Sequence, residues 1–193
     1  MVKDRFDGFL LSCMAKFLPE LDERLIAFIR AQRMFFTGTA PHAGRLNVSP
    51  KGLDSFRVIS PTVVGYLDLT GSGNETAAHL LENGRITFMF CAFEGPPLIL
   101  RLYAKDRSIR PADAEWNELR LHFGPPLPGE RQLIIGEVQS VQTSCGYGVP
   151  LYETAGDRTQ LTAWANHKGP AEFECYRLEK NTRSIDGLPT GLG

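Results

Sequence analysis

The stretch that most constrains the fold runs from residue 62 to residue 91, TVVGYLDLTGSGNETAAHLLENGRITFMFC. Residues 63–69 are mainly β-branched, aromatic or aliphatic, which suits a strand, whereas the apolar residues after Asn74 recur with helical spacing. A glycine-rich turn at 70–74 separates the two, and a second apolar run at 85–93 follows the helix. The sequence therefore predicts a strand, a glycine-rich turn, a helix and another strand.

The turn between this strand and helix has the composition of an anion site. Backbone N–H groups at the start of a helix are unpaired and carry a positive partial charge, so they can hold a phosphate. Asn74 or Ser72 would cap the helix, with Glu75 in its first turn. A simple turn that needs glycine and a cap explains the same residues. The GxxxxGK[ST] and GxGxxG patterns are both missing, which argues against a nucleoside triphosphatase or a Rossmann dehydrogenase.

Composition restricts the class of protein further. The chain has 193 residues, 42% of them hydrophobic and 22% charged, which predicts one globular domain over residues 1–193. A formal net charge of -1 gives no general attraction for nucleic acid or an anionic membrane. The apolar patch at 9–11 is too short for a secretory signal or a membrane span, so we expect a cytoplasmic protein.

The cysteines and histidines do not predict a metal site. No CxxC pair is present, and the residues are far apart in the sequence, so we expect reduced thiols and no metal ion. The residues are Cys13, Cys91, Cys145 and Cys175, with His42, His79, His122 and His167.

The rest of the chain predicts antiparallel strands with flanking helices, as in a barrel or sandwich. An amphipathic helix is expected at 18–33, another helix at 111–123, and a C-terminal helical segment and tail at 156–193. Within the last segment, 156–168 is expected to be helical and 172–179 helical or extended. A bulge at Gly136 would reconcile the two apolar faces of the last strand. The further strands are expected at 34–39, 45–49, 56–59, 98–105 and 131–143.

A second unusual stretch, SCGYGVP, occupies residues 144–150. Two glycines flank Tyr147 where a strand is expected to end, which suits either a tight turn or a close approach of the backbone to a ligand. Cys145 is either a reactive thiol or an inert buried one.

Four segments, taken in order, resemble the FMN-binding split-barrel family, the pyridoxamine 5'-phosphate oxidase-like flavoproteins. They are GRLNVSPKG at 44–52, YLDLTGSGNETAAHLLEN at 66–83, the strand pair RITFMF and LILRLY, and SCGYGVP. The resemblance implies a mainly β fold, a six-stranded antiparallel split β-barrel with flanking helices. It also implies a homodimer that holds FMN in grooves between its subunits.

The resemblance further implies which residues bind FMN. Residues on the early strand would face the flavin ring or ribityl chain, and residues of the turn and helix would meet the phosphate. Those of SCGYGVP would reach the ring from the partner subunit. The implied cofactor-binding residues are Asn47, Val48, Ser49, Lys51, Leu69, Thr70, Asn74, Glu75, Thr76, Ser144 and Cys145.

Two departures from the family pattern bear on function. Glu75 and Thr76 stand where the oxidases proper have an Arg-Lys pair on the phosphate, so hydroxyls, Asn74 and backbone N–H groups would hold it. The oxidases also end in a strand with an arginine and a histidine for the vitamin, whereas no histidine follows His167 here. We therefore predict FMN-dependent redox chemistry on a small molecule rather than true pyridoxamine phosphate oxidation, with no catalytic residue assigned. The alternatives are a split barrel that uses a deazaflavin or haem, and a non-catalytic flavin-binding or sensing protein.

Overall fold

The computed structural model describes residues 15–192. Cys13 and the apolar patch at 9–11 lie outside these residues. Within the described range an antiparallel sheet carries several short helices, which confirms the predicted mainly β fold with flanking helices. No helix in residues 15–192 has the length and apolar character needed to cross a membrane.

The elements follow the chain in this order of strands and helices. The strands are β1 (Lys16–Leu18), β2 (Phe35–Thr39), β3 (Asn47–Lys51), β4 (Phe56–Ser60), β5 (Val63–Leu69), β6 (Arg85–Cys91), β7 (Ile99–Ile109) and β8 (Glu130–Ser144). The helices are α1 (Glu23–Ala31), α2 (Glu75–Asn83), α3 (Trp116–Arg120), α4 (Gln160–His167) and α5 (Pro170–Lys180), with a 3-10 turn at Leu121–Phe123.

The strands form one path in the order β3-β2-β6-β7-β8-β5-β4, and β1 pairs with β8. One face of this path encloses an aromatic and aliphatic core that α1 closes, with Leu25, Phe35, Tyr66 and Phe88 among its buried residues. The opposite face of β5, β7 and β8 packs against α3 and the 3-10 turn in a second apolar cluster. The sheet is therefore curled into a split barrel, and α2 leaves it directly after β5.

The described sheet has eight strands rather than the six that the resemblance implied. The short β1 adds to the last part of β8, where Lys16 lies opposite Thr143. In addition, β3 and β4 form separate edge strands at opposite ends of the path. The helix predicted at 18–33 is shorter than expected, because Leu18 belongs to β1. Helix α1 starts only after Asp22, whose carboxylate accepts a hydrogen bond from the Leu25 N–H at 2.7 Å.

Several predicted boundaries of helices and strands were wrong. The predicted helix at 111–123 is only α3 and the 3-10 turn, because Asp113 instead accepts a hydrogen bond from the Arg110 N–H at 2.7 Å and closes a turn. Strand β7 continues to Ile109 instead of ending at 105. The C-terminal helices are α4 and α5, so 156–159 is not helical and the 172–179 segment is.

Strand β8 bulges at Gln139 where it pairs with β7 and at Arg131 where it pairs with β5, rather than at Gly136. Tyr103 lies opposite Ser140 and Ala104 opposite Val138, so the extra residue of β8 is between these two. Gly136 has a different role, because a β-carbon there would lie 1.4 Å from Oδ1 of Asp106. The glycine therefore makes room for a buried carboxyl group on the neighbouring strand.

Candidate functional site

A cavity of about 340 Å³ lies where β3, the glycine-rich turn and the start of α2 meet. We call this cavity the cradle. Seven of the residues that the resemblance implied share it, and Asp68 and Arg131 complete its polar wall. The seven are Asn47, Ser49, Lys51, Leu69, Asn74, Glu75 and Thr76.

Alternation along β3 decides which of its residues reach the cradle. Successive side chains of a strand point to opposite faces, so Asn47, Ser49 and Lys51 share one face. Val48 lies on the other face, opposite Gly38 of β2, and is 61% exposed. The strand therefore presents an amide, a hydroxyl and an ammonium group to the cradle and an apolar side chain away from it.

A buried ion pair forms the base of the cradle. Asp68 of β5 accepts hydrogen bonds from Lys51 Nζ at 2.9 Å, from Arg131 Nη2 at 2.7 Å and from Gln132 Nε2 at 2.8 Å. Burial alone would raise the pKa of Asp68, but the charges and hydrogen bonds of Arg131 and Lys51 outweigh it and hold the pKa well below its ordinary value. Asp68 therefore stays ionised and fixes both cations in place.

The carbonyl groups of the glycine-rich turn are held by the C-terminal part of the chain. Arg131 Nη1 donates to the Gly73 carbonyl at 2.9 Å and to Asn181 Oδ1 at 2.9 Å. Asn181 Nδ2 donates in turn to the Gly71 carbonyl at 3.1 Å. In a trans peptide the next N–H points away from the carbonyl, so these bonds turn the following N–H groups away from the support. Among the described residues nothing accepts from the N–H groups of residues 71–75.

The predicted side-chain cap of α2 is wrong. Asn74 precedes the helix, but its side chain makes no capping hydrogen bond. Its Oδ1 accepts from Gln132 Nε2 at 2.8 Å, and its Nδ2 donates to the Asn181 carbonyl at 3.4 Å. Because the buried amide is used on both sides, the first N–H groups of α2 are left for another acceptor. An anion is the acceptor that a helix N-terminus favours.

The remaining predicted residues have other surroundings within this chain. Thr70 is buried outside the cradle lining, where its hydroxyl accepts from Arg177 Nε at 3.0 Å. Glu75 lines the cradle, yet its carboxylate accepts from the Ile185 N–H at 3.0 and 3.1 Å. Ser144, at the end of β8, accepts from Arg101 Nη1 at 3.3 Å, and neither Ser144 nor Cys145 lines the cradle. One chain thus builds the cradle without the SCGYGVP stretch.

Sequence reasoning missed Asp68, Arg131 and Asn181. The sequence did carry a signal for Asp68, because a charged residue in the apolar run VVGYLDL must find a partner once it is buried. Nothing in the sequence indicates that this partner is Arg131, 63 positions further on. Asn181 lies 50 positions beyond Arg131, in a segment that offers no pattern of its own.

The curled antiparallel sheet, with a cradle where β5 leads into α2, defines a split-barrel protein. The family model for pyridoxamine 5'-phosphate oxidase matches residues 21–145, which include β2 to β8 and the whole cradle apart from its C-terminal support. The chain belongs to the pyridoxamine 5'-phosphate oxidase family, as the sequence predicted.

One similar protein supports this assignment by its sequence. The pyridoxamine 5'-phosphate oxidase family protein ustO of Aspergillus flavus is 40% identical over 198 residues, covering 91% of this chain and 78% of the relative. A crystal structure of a proposed pyridoxamine 5'-phosphate oxidase from Lactobacillus delbrueckii is 17% identical, with a TM-score of 0.50 over 64% of this chain and 94% of that one. HupZ of Group A Streptococcus is 16% identical, with a TM-score of 0.49 over 68% of this chain and 100% of its own. At such low identity the first of these structures supports the fold alone.

Proposed function

We propose that the protein is an FMN-binding flavoprotein whose cradle holds the phosphate of the cofactor. The observation that carries the proposal is the uncapped start of α2 next to five turn N–H groups that no described residue accepts from. Such groups suit an anion. Membership of the pyridoxamine 5'-phosphate oxidase family supports FMN as the source of that anion.

The side chains of the cradle fit a phosphate that is held by hydrogen bonds more than by net charge. Lys51 and Arg131 are balanced by Asp68 and Glu75, so the cradle has no excess of positive charge. Because the Ser49 hydroxyl donates to Asn47 Oδ1, the hydroxyl groups of Ser72 and Thr76 and the backbone N–H groups are the donors that remain. This composition supports the interpretation that hydroxyl and N–H groups replace the Arg-Lys pair of the oxidases proper.

Two larger cavities adjoin the cradle and offer room for a flavin ring and a small substrate. A groove of about 430 Å³ shares Asn47 with the cradle, and a cleft of about 900 Å³ shares Pro50 and Lys51. The cleft is also lined by Phe93 and Tyr152, whose ring centroids lie 5.5 Å apart. An aromatic wall beside a phosphate cradle supports a ligand that is planar at one end and anionic at the other.

For the reaction we propose redox chemistry on a small molecule. Bound flavin supplies the electron transfer, while the protein supplies binding and orientation. Both acids of the cradle are engaged, Asp68 with two cations and Glu75 with the Ile185 N–H. The described cradle therefore offers no free carboxylate as a base, which favours a second candidate, a protein that binds flavin without turnover.

We further propose a homodimer with the cofactor between the subunits. Leu46 is 69% and Val48 61% exposed, and Leu46 lines the groove that shares Asn47 with the cradle. Apolar side chains that stay exposed beside a ligand cavity are typical of a subunit interface. In such a dimer Ser144 and Cys145 would approach the flavin of the partner subunit.

The test uses the purified chain. We expect flavin absorbance in the visible spectrum, or its uptake on addition of FMN, and a dissociation constant for FMN about tenfold or more below that for riboflavin. No uptake of FMN would contradict the proposal, and parallel titrations with a deazaflavin and with haem identify the alternative cofactors. Reduction by NADH or NADPH followed by reoxidation with candidate substrates separates the enzyme from the binding protein.

A further inference from the structure

His79 of α2 is fully buried behind the cradle, and the proposed function does not use it. Its Nδ1 lies 2.9 Å from the hydroxyl oxygen of Thr39, at the end of β2. Its Nε2 has no hydrogen-bond partner among the described residues. A buried imidazole that uses one nitrogen on a single hydroxyl group is coupled to whatever that hydroxyl group contacts.

The contacts of Thr39 lead to the wall of the cradle. Asn47 Nδ2 lies 3.3 Å from the Thr39 hydroxyl oxygen and also 3.3 Å from the Thr76 hydroxyl oxygen. The Oδ1 of Asn47 accepts from the Ser49 hydroxyl at 3.0 Å. A continuous path of hydrogen bonds thus joins His79 to two hydroxyl groups of the cradle.

With the ring proton of His79 on Nε2, the direction of each bond follows from counting protons. The amide of Asn47 has two protons, so it gives one to the oxygen of Thr39 and one to that of Thr76. Thr39 then directs its own proton to Nδ1 of His79, which must be unprotonated to accept it. Thr76 accepts from Asn47, so its own proton is free to point into the cradle. The hydroxyl group of Tyr66 is buried beside Thr76, and because burial raises the pKa of Tyr66 it keeps its proton and acts as a donor toward the Thr76 oxygen, which leaves the Thr76 proton for the cradle.

Without an acceptor at position 79, the hydrogen bonds of this path can run in the opposite direction. Thr39 would direct its proton to Asn47, whose amide would turn so that its oxygen faces Thr39 and Thr76. The Thr76 hydroxyl would then donate its proton to the Asn47 oxygen and present only lone pairs to the cradle. An anion there would lose one donor and meet an acceptor instead.

We propose that His79 is a positioning residue which, through Thr39 and Asn47, fixes the Thr76 hydroxyl group as a donor to the phosphate of FMN. The inference rests on the proposed FMN site and adds a residue that does not itself touch the cofactor. It ties phosphate binding to an acceptor nitrogen on the buried side of α2.

The experiment measures the dissociation constants of FMN and riboflavin by quenching of flavin fluorescence, and the readout is their ratio. Riboflavin lacks the phosphate, so the ratio isolates the phosphate contacts from any general loosening of the protein. Thr76→Ala sets the scale, with an expected loss of about tenfold in phosphate preference. His79→Leu, which removes the acceptor at similar volume, and Thr39→Val, which removes the hydroxyl group, should each lose about three- to tenfold.

Two further variants test the path itself. His79→Asn places an amide oxygen close to the position of Nδ1, so it should restore most of the preference that His79→Leu loses. In the double variant His79→Leu/Thr76→Ala the preference should equal that of Thr76→Ala alone, because the path ends at Thr76. Thermal unfolding of each variant without flavin shows whether it is folded. If His79→Leu is not folded, Thr39→Val tests the path in its place.

The outcomes separate the inference from the function on which it rests. No uptake of FMN by the wild type overturns both. A wild type that prefers FMN and loses the preference in Thr76→Ala, but not in Thr39→Val or His79→Leu, leaves the FMN site standing and rejects the role of His79. Equal losses of affinity for FMN and for riboflavin in Thr76→Ala also reject the role of His79, because the phosphate would then lie elsewhere.

Discussion

Asp106 is a buried carboxyl group on the interior face of β7, in the space that Gly136 leaves. Neither of its oxygens has a hydrogen-bond partner among the described residues. Burial, opposed only by the charge of Arg107, raises the pKa of Asp106 to about 8. The folded protein therefore holds a neutral carboxylic acid at a pH where the unfolded chain carries a carboxylate.

This difference makes folding stability depend on pH. Below about pH 4 Asp106 is neutral in both the folded and the unfolded state, so its ionisation does not change the free energy of unfolding. Between about pH 4 and the folded pKa the unfolded chain binds fewer protons, so the free energy of unfolding falls by up to about 1.4 kcal/mol per pH unit. Above about pH 8 both states are ionised and the loss is complete.

We predict that Asp106→Asn removes this slope. Urea unfolding from pH 5 to pH 8 should show the variant gaining stability relative to the wild type as the pH rises. Asp157→Asn, at an exposed position in the 150–159 connection, is the matched control and should leave the pH dependence unchanged. A constant difference between Asp106→Asn and the wild type across that range would show that Asp106 is ionised in the folded protein.

At the scale of elements, α5 and the residues after it act as a support for the glycine-rich turn. Asn181 is fully buried at the end of α5, and its carbonyl also accepts from the Thr190 hydroxyl at 2.5 Å. Asn181 thus joins the turn, Arg131 and the C-terminal tail through one side chain and one carbonyl. A turn with several glycines has many accessible conformations, and such contacts restrict it to one.

We predict that Asn181→Ala destabilises the protein by about 2 kcal/mol, because the Gly71 carbonyl and Arg131 each lose a buried partner. The same change should weaken FMN binding, since the turn N–H groups are no longer held in position. Urea unfolding and FMN titration measure the two effects. Lys180→Ala, the exposed neighbouring position, is the control, and an equal effect of both variants would contradict a specific support of the turn.

At the scale of the whole molecule, some exposed apolar side chains lie beside the cradle and others do not. Leu46 lines the groove beside Asn47, whereas Leu121, which is 81% exposed, lies on the 3-10 turn after α3. If the groove is the subunit interface, only the first of these positions links assembly to cofactor binding.

We predict that Leu46→Glu gives a monomer and weakens FMN binding by about tenfold or more, because a charge is placed in a buried apolar contact. Light scattering gives the mass in solution, and FMN titration gives the affinity. Leu121→Glu should change neither. A Leu46→Glu monomer that binds FMN as tightly as the wild type would place the complete site within one subunit.

Much of the fold could be predicted from local patterns. Runs of β-branched, aromatic and aliphatic residues predicted β5, β6 and the core of β8, and helical spacing after Asn74 predicted α2. The ends of elements were less predictable. Asp113 closed a turn instead of opening a helix, and the pairing of β7 with β8 carried β7 past residue 105, because contacts distant in sequence outweigh local propensity.

The sequence by itself determined the glycine-rich turn, the helix that follows it and the alternation that puts Asn47 and Ser49 on one face. These depend on backbone freedom and periodicity, which act over a few residues. Only the tertiary structure decided that Asp68 holds Lys51 and Arg131, and that Asn74 turns inward and leaves α2 uncapped. The physical reason is burial: once these polar groups lose water they must pair, and their partners are whatever groups the closed barrel places within reach.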